Sequence, residues 1–298
     1  MSTKDTLRLK LQTASVVEKL IAINVVVFIL FFLIKTISFL FQVPDTLITW
    51  FVFPQNPSEY IVKPWTIITY SFLHAGIWHI LGNMLIFYYA GSYFLTYFSP
   101  KKLLNYYFLG VIFGALVYML SYNLFPVFQG MGNSYLLGAS AGIMAVLVGI
   151  ATKIPYMRIR LMFLGSIKFW WIAAFLVALD VIQIPFDNPG GHLAHLGGAL
   201  LGYTYTTQLN KGRDIGSGFE KVIDWFLSLF NSEKRRKPKM RTVYKNKTAT
   251  NSSPKSSKFN NKDEKQHKID GILDKISKSG YDSLSKEEKD FLFHAGKD

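Results

Sequence analysis

The feature that most constrains this chain is a series of apolar blocks long enough to cross the hydrocarbon core of a membrane. Hydrophobic residues make up 50% of the 298 residues, and they are concentrated in these blocks. Six membrane-spanning helices are predicted, at residues 18–42, 75–97, 103–124, 138–153, 165–184 and 192–210. The expected fold is therefore all-α, a polytopic six-helix membrane bundle formed by residues 1–210.

Positive charge is distributed unevenly between the segments that alternate across the membrane. One side carries Lys4, Arg8, Lys10, Lys19, Lys101, Lys102, Lys153, Arg158 and Arg160, followed by the basic C-terminal segment, whereas the other side carries only Lys63. By the positive-inside rule, we expect an integral protein of a bacterial cytoplasmic (inner) membrane with both termini in the cytoplasm. The net charge of +14 comes from these lysines and arginines, whose placement follows membrane topology. We therefore expect a lipid bilayer as partner and no nucleic acid.

The chain changes character after Asn210. Residues 211–230 are predicted to form an amphipathic helix on the membrane surface, although the same helix would also suit packing on a protein. Its apolar stripe consists of Phe219, Val222, Ile223, Phe226, Leu229 and Phe230. Residues 231–268 are rich in Lys, Ser and Asn, which predicts a disordered basic linker.

The last segment, residues 269–298, is predicted to form a short helical hairpin. Ser285 and Glu288 have the spacing of a capping box, and Gly280 is available to end the preceding helix. So small a piece cannot hold a core by itself, so we expect it to bind a cytoplasmic partner.

Two of the predicted spans begin with a residue that an ordinary membrane anchor avoids. Ser140 opens the fourth span and His195 lies near the start of the sixth. Small residues at four-residue spacing, including Gly198 and Gly202, allow close approach of these two helices. A serine hydroxyl becomes a strong nucleophile when an adjacent base accepts its proton, so Ser140 and His195 are the candidate nucleophile and base.

The second predicted span contains His79 and Asn83 on one helix face. Their side chains, with the backbone amide of Ser140, are candidate donors to the oxyanion of an acyl-transfer reaction. The alternative is that both are structural and hydrogen-bonded to neighbouring helices.

Two further expectations concern the surroundings of His195. Asp180 is the nearest acid in sequence, but the intervening Pro185 and Asn188-Pro189-Gly190 favour a Ser–His dyad over a triad. His192 and His195 have a spacing that suits a metal, yet no carboxylate is expected beside them, so no metal is predicted.

Taken together, these residues resemble the motifs of a known family. The motifs His79-x-x-x-Asn83, Gly138-x-Ser140 and Ala194-His195-x-x-Gly198-x-x-x-Gly202 resemble those of the rhomboid intramembrane serine proteases, over roughly residues 15–210. The resemblance implies a compact six-helix bundle that needs no metal, ATP or other cofactor and cleaves single-span or other membrane proteins. It implies that Ser140 is the nucleophile, His195 the base, and His79 and Asn83 the oxyanion donors, with Gly138, Gly198 and Gly202 supporting helix packing.

The chain departs from the family pattern at three positions. Ala141 follows the serine where glycine is common, Thr66 follows Trp65 where arginine is common, and Met144 stands where an aromatic residue often stacks on the catalytic histidine. None of these changes removes a reacting group.

The two alternatives to a protease are a catalytically inactive relative and a transporter or channel. A catalytically inactive relative that binds transmembrane segments for quality control or trafficking is expected to lack the serine or the histidine, and both are present. A transporter or channel is expected to have inverted repeats and mid-membrane charges, and only Asp180 is a candidate charge.

Overall fold

The computed structural model describes residues 5, 9, 12–130, 132–161, 165–230 and 261–295. The chain divides into two compact units, Met1–Lys234 and Arg235–Asp298. The first contains nine α-helices among its described residues: α1 (Val16–Leu40), α2 (Pro57–Val62), α3 (Thr66–Thr69), α4 (Ile77–Tyr97), α5 (Pro100–Leu124), α6 (Ser140–Lys153), α7 (Phe169–Gln183), α8 (Pro189–Asn210) and α9 (Ser217–Phe230).

The first unit also contains short strands, so the expectation of a purely α-helical chain is wrong in detail although the fold is mainly helical. The antiparallel pairs are β1 (Phe53–Pro54) with β2 (Tyr135–Leu136), and β3 (Arg158–Leu161) with β4 (Gly165–Lys168). The pair β3–β4 lies between α6 and α7. The fifth predicted span, 165–184, therefore starts too early, because its first residues are in β4 and α7 begins at Phe169.

The surface of α1 indicates a lipid environment. A capping box starts this helix: the amide of Ser15 donates to Glu18 Oε2 (2.6 Å), and the amide of Glu18 donates to Ser15 Oγ (3.2 Å). Beyond the cap, the central residues 25–34 of α1 are all apolar, yet Val26 and Phe32 there, and Ile37 further on, are each 55% exposed. A helix that is apolar all round and not covered by protein is typical of a membrane span.

Length and hydropathy do not give all six predicted spans. Among the described residues, only Val16–Leu40 and Pro100–Leu124 are helices long and apolar enough to cross a membrane. The helices Ser140–Lys153 and Phe169–Gln183 are apolar but shorter. At 1.5 Å per residue α6 is about 21 Å long, which is less than the hydrocarbon thickness.

The core is built around α6. Most of its residues are buried, and it contacts α4, α5, α7 and α8. Small residues in α6 make this central position possible, because they let the surrounding helix backbones approach closely. The consequence is that Ser140, the first residue of α6, lies where several helices converge.

The loop between α1 and α4 positions the start of α6. The strand pair β1–β2 joins this loop to the residues just before Ser140. The hydroxyl of Tyr70 donates to the carbonyl of Val111 on α5 (2.7 Å), and the carbonyl of Tyr70 accepts from the amide of Gly138 (3.0 Å). Tyr70 is 1% exposed, so these bonds fix the approach to α6 within the protein interior.

Helix α9 is joined to the start of α5 by charged groups. Lys102 pairs with Asp214 and with Glu220 (2.7 Å), and Lys101 pairs with Asp224 (2.9 Å). The side-chain Nδ2 of Asn105 also donates to Glu220 Oε1 (2.8 Å). These bonds attach α9 to α5 of the same chain, and both its location on a membrane surface and its packing on a protein partner stay predictions.

The second unit is a helical hairpin, α10 (Asn261–Ser279) followed by α11 (Lys286–Ala295). Because α10 begins at Asn261, it includes residues 261–268 of the segment predicted to be disordered; the rest of that segment, 231–260, lies outside the described residues. Gly280, with φ of 79°, follows α10, and Ser285 and Glu288 form the capping box of α11. Hydrogen bonds from Lys275 and the Ser285 amide hold the pKa of Glu288 below its usual range.

Candidate active site

Ser140 is the first residue of α6 and is partly exposed. The first turn of a helix has amides without partners in the helix, so the backbone around Ser140 presents N–H groups and the positive end of the helix dipole. Developing negative charge on a bound group is stabilised at such a place.

Gly138 is required by the backbone and by its neighbours. Its φ of +123° disfavours any L side chain. A Cβ at this position would also lie 3.0 Å from His79 Nε2 and 3.5 Å from Ser140 Oγ. Gly138 therefore lies between His79 and Ser140 and leaves space there, which differs from the helix-packing role expected for it.

Helices α6 and α8 are in backbone contact beyond Ser140. A Cβ on Gly198 would lie 2.0 Å from the carbonyl oxygen of Ala141, and a Cβ on Gly202 would lie 2.2 Å from that of Ala145. Only glycine fits at either position without movement of the backbone. This contact places the residue after Ser140 against the helical turn that follows His195.

The imidazole of His195 is held by an acid from α7. His195 Nδ1–H donates to Asp180 Oδ1 at 2.7 Å, and Asp180 is 7% exposed. The preference for a dyad without an orienting acid is therefore not supported by the geometry. The turn between α7 and α8 is tight enough to bring the end of α7 beside the first turns of α8, despite the proline and glycine residues in it.

His192 shares the same carboxylate oxygen. Its Nδ1–H donates to Asp180 Oδ1 at 2.8 Å, and its ring meets that of His195 at 5.7 Å between centroids. A carboxylate thus accompanies the two histidines, contrary to the argument from sequence against a metal. The ligands of a tetrahedral zinc ion are about 3.3 Å apart, as follows from metal–ligand distances of about 2.0–2.1 Å. Separations of 2.7 and 2.8 Å instead fit direct hydrogen bonds.

His79 and Asn83 lie on α4, with Asn83 at 8% exposure. His79 Nδ1 accepts a 3.4 Å hydrogen bond from the amide of Ala75, which leaves Nε2 as the N–H donor of a neutral ring. The side-chain nitrogen of Asn83 is buried and has no hydrogen-bond partner among the described residues. Both groups are donors available to a ligand.

His74, just before α4, packs its ring edge-on against His79 at 5.1 Å. Burial, and to a smaller extent His79, lowers the pKa of His74 to about 4. His74 is consequently neutral at neutral pH, and it gives His79 a neighbour without charge.

Ser140 and His195 are not hydrogen-bonded to each other in the described part of the chain. His195 is partly exposed and its Nε2 has no protein partner there, so its lone pair is available on the side away from Asp180. Bonds between a catalytic base and its nucleophile are often long before substrate binds, so this geometry is compatible with a pair that closes on substrate.

The structure gives a reason for one departure from the family pattern. Ala141 is 1% exposed, and a Cβ on Gly114 of α5 would lie 2.6 Å from the Ala141 methyl group. Glycine at 114 therefore provides the space for alanine at 141. Met144 is buried in the core, and Thr66 donates from its hydroxyl to the carbonyl of Lys63 (2.6 Å). The Thr66 contact involves no charge.

Comparison with known proteins places this arrangement in a family. Residues 62–211, half of the chain, match the rhomboid domain. The chain belongs to the rhomboid family, as its three motifs indicated.

Three curated relatives illustrate the match. RHOMBOID-like protein 12, mitochondrial, of Arabidopsis thaliana is 27% identical over 50% of this chain and 47% of its own length. Presenilin-associated rhomboid-like protein A, mitochondrial, of Danio rerio is 34% identical over 45% of this chain and 35% of its own length. The human presenilin-associated rhomboid-like protein, mitochondrial, is 31% identical over 64% of this chain and 47% of its own length. The chain thus spans less than half the length of these relatives.

These relatives correct one expectation. All three are named as mitochondrial proteins, so the prediction of a bacterial cytoplasmic membrane is wrong. The positive-inside pattern indicates only which loops share a side of a membrane, and it does not distinguish one membrane from another.

The C-terminal hairpin matches a second family. Residues 257–294 correspond to DUF6576, a family of unknown function. This range contains α10 and all but the last residue of α11, and it begins before residue 269, where the hairpin was predicted to start.

Proposed function

We propose that this chain is an intramembrane serine endopeptidase that cleaves transmembrane or membrane-proximal segments of other membrane proteins. The observation that carries the proposal is the pairing of α6 with α8, in which Gly198 touches the carbonyl of Ala141 and brings the starts of both helices together. Ser140 and His195 lie on these two helices, next to that contact. Membership of the rhomboid family supports the same function.

The reaction follows from the free groups. Ser140 Oγ attacks the carbonyl carbon of the scissile peptide bond, and its proton passes to Nε2 of His195. The imidazolium then gives this proton to the amide nitrogen, which leaves as an amine, while the acyl group remains as an ester on Ser140. Water, deprotonated by the same Nε2, hydrolyses the ester, releases the carboxylic acid and restores the serine.

Negative charge on the tetrahedral intermediate requires pre-placed donors. The amide of Ser140, the Nε2–H of His79 and the free side-chain nitrogen of Asn83 are the groups proposed for this role. None of them requires a metal ion or an organic cofactor.

The substrates proposed are single-span or other membrane proteins. A protease whose nucleophile begins a helix of about 21 Å, shorter than the bilayer core, can reach peptide bonds below the membrane surface. We propose that α1 and α4–α8 form the six-helix membrane bundle. Because the relatives are named as mitochondrial, the membrane proposed is a mitochondrial one.

Cleavage of a single-span model substrate by the purified full chain tests this proposal. Ser140→Ala and His195→Ala are expected to reduce kcat by about 10,000-fold or more, since either change removes half of the activation pair. Labelling by a fluorophosphonate is expected in the wild type and absent in Ser140→Ala. Ser92→Ala on an exposed part of α4 and His267→Ala in the hairpin are the matched controls, and both should cleave normally.

Cleavage by Ser140→Ala at the wild-type rate would refute the assignment of the nucleophile. Binding of substrate without cleavage or labelling in the wild type would instead support the catalytically inactive relative, which recognises transmembrane segments only.

A further inference from the structure

We propose that Asp180 is a positioning residue for this reaction, holding His195 in the tautomer and orientation that a general base needs. The inference rests on the proposed function and adds a third residue to it. It comes from the placement of one buried carboxylate between α7 and α8.

Asp180 is the one acidic side chain in α7, a helix otherwise made of apolar residues apart from its terminal glutamine. Burial of a carboxylate is costly unless the group is hydrogen-bonded, and ionisable residues within apolar spans are usually functional. Here the compensating bonds come from α8: Oδ1 accepts from Nδ1 of His195 at 2.7 Å and from Nδ1 of His192 at 2.8 Å. The described residues give Asp180 no other ion pair.

The bond to Asp180 determines which nitrogen of His195 carries the proton. A neutral imidazole has one N–H and one lone pair, and the carboxylate can only accept when Nδ1 is the protonated atom. The lone pair is then on Nε2, which is the nitrogen that must accept the serine proton. After that transfer the same carboxylate stabilises the imidazolium without itself becoming protonated.

His192 contributes to the same arrangement from one turn earlier on α8. Its N–H reaches the oxygen that His195 also uses, so the carboxylate is held by two donors on a single helix. Asp180 therefore links α7 to α8 beside His195, and its side chain is only 10% exposed. Water has little access to replace it as the partner of Nδ1.

The test compares the steady-state kinetics of Asp180→Asn and Asp187→Asn in the full chain, with a membrane-protein substrate varied up to saturating concentration. Asparagine keeps the shape of the side chain but lets an amide N–H face Nδ1, which favours the wrong tautomer. We expect Asp180→Asn to lower kcat by about 100- to 10,000-fold with KM nearly unchanged. Asp187 is exposed in the turn after α7, so Asp187→Asn removes the same charge and should leave kcat unchanged.

A second readout does not depend on turnover. NMR spectra of ¹⁵N-histidine-labelled protein report the tautomer of each imidazole, and His195→Ala assigns the signal. We expect Nδ1–H for His195 in the wild type and a mixed or Nε2–H state in Asp180→Asn. Wild-type kcat and an unchanged tautomer in Asp180→Asn would overturn the inference, and so would an altered tautomer with unchanged kcat.

Two further outcomes are distinguished by the same experiment. Equal cleavage by wild type and Ser140→Ala would refute Ser140 as the nucleophile of the proposed protease, whereas the tautomer of His195 would still decide what Asp180 does. Loss of activity on treatment with a chelator, reversed by a divalent cation, would overturn the positioning role in favour of a metal held by Asp180, His192 and His195.

Discussion

Asn83 is a buried amide whose nitrogen has no hydrogen-bond partner in the described part of the chain. Such a group costs free energy in the folded state, on the order of 1–3 kcal/mol, unless a ligand satisfies it. His79 lies one turn earlier on the same helix and keeps a free N–H on Nε2. His79 Nε2 lies next to Gly138, and both unused donors are on α4, so the proposed oxyanion role would satisfy the buried nitrogen of Asn83.

We therefore expect Asn83→Ala to lower kcat by about 100-fold while KM changes little, because the lost bond is made mainly in the transition state. Steady-state kinetics on the full chain measure both constants. Asn210→Ala, at the far end of α8, is the matched amide deletion and should behave as wild type. An Asn83→Ala variant with an unaltered kcat would mean that Asn83 is structural.

The sequence indicated the candidate reacting residues but not their neighbours. Ser140 and His195 were recognisable because each is a chemically active group in an apolar helix rich in small residues. Asp180 is also a chemically active group in an apolar helix, but the proline and glycine residues after α7 suggested that it lies far from His195. His192 and His195 are about one helical turn apart and therefore lie on the same face of α8. The loop between α7 and α8 folds back so that Asp180 of α7 meets this face. That fold is not readable from residue types alone.

At the scale of elements, α6 and α8 come into backbone contact because glycines, which have no side chain, lie at the points of closest approach. Gly198 and Gly202 face backbone carbonyls of α6, and Gly114 of α5 faces Ala141. Without these glycines the three helices would be separated by at least a methyl group, and Ser140 would move away from α8.

We expect Gly198→Ala to destabilise the fold by about 1–3 kcal/mol and to reduce activity, because its Cβ would lie 2.0 Å from the carbonyl oxygen of Ala141. Gly82→Ala on α4 is the matched control, since nothing lies within 4 Å of a Cβ there. That control should be neutral or slightly stabilising. Thermal unfolding in detergent compares the two variants. Equal midpoints would show that the close contact is not required.

The boundaries of elements were predictable only where a local signal exists. The capping box of α11 was predicted from Ser285 and Glu288, which are three residues apart in the sequence. The Ser15 and Asn188 caps are equally local, but the predicted spans do not take them into account and begin at residues 18 and 192, where α1 and α8 begin at Val16 and Pro189. The start of α7 at Phe169 is different, because residues 165–168 were included in the predicted fifth span but pair with β3 instead. Strand pairing depends on a partner segment, which a helical pattern does not reveal.

At the scale of the whole molecule, α9 belongs with the bundle and the hairpin forms a separate unit. Lys102 is shared by Asp214 and Glu220, and Tyr205 of α8 donates to Asp214 at 2.9 Å. These bonds connect α9 and the preceding turn to α5 and α8. The hairpin has its own internal contact, Lys275 with Glu288 at 2.8 Å.

We expect truncation after residue 232 to leave a folded chain with near-normal turnover of a short model substrate in detergent. Truncation after Asn210 should instead lower the unfolding midpoint and the activity, because Lys102, Asn105 and Tyr205 then lose their partners. Cleavage assays and thermal unfolding of both truncated chains test this. Loss of activity on the shorter deletion, with the fold intact, would make the hairpin part of the enzyme.

The sequence by itself determined the membrane class, the family and the identity of the candidate reacting residues. Hydrophobic block length, the periodicity of small residues and the chemistry of Ser140 and His195 are local properties that need no coordinates. Only the tertiary structure decided that Asp180 holds His195, that Gly138 makes room between His79 and Ser140, and that α9 is bonded to α5. Each of these depends on residues distant in sequence meeting within hydrogen-bond or contact distance, and packing of the whole bundle sets those distances.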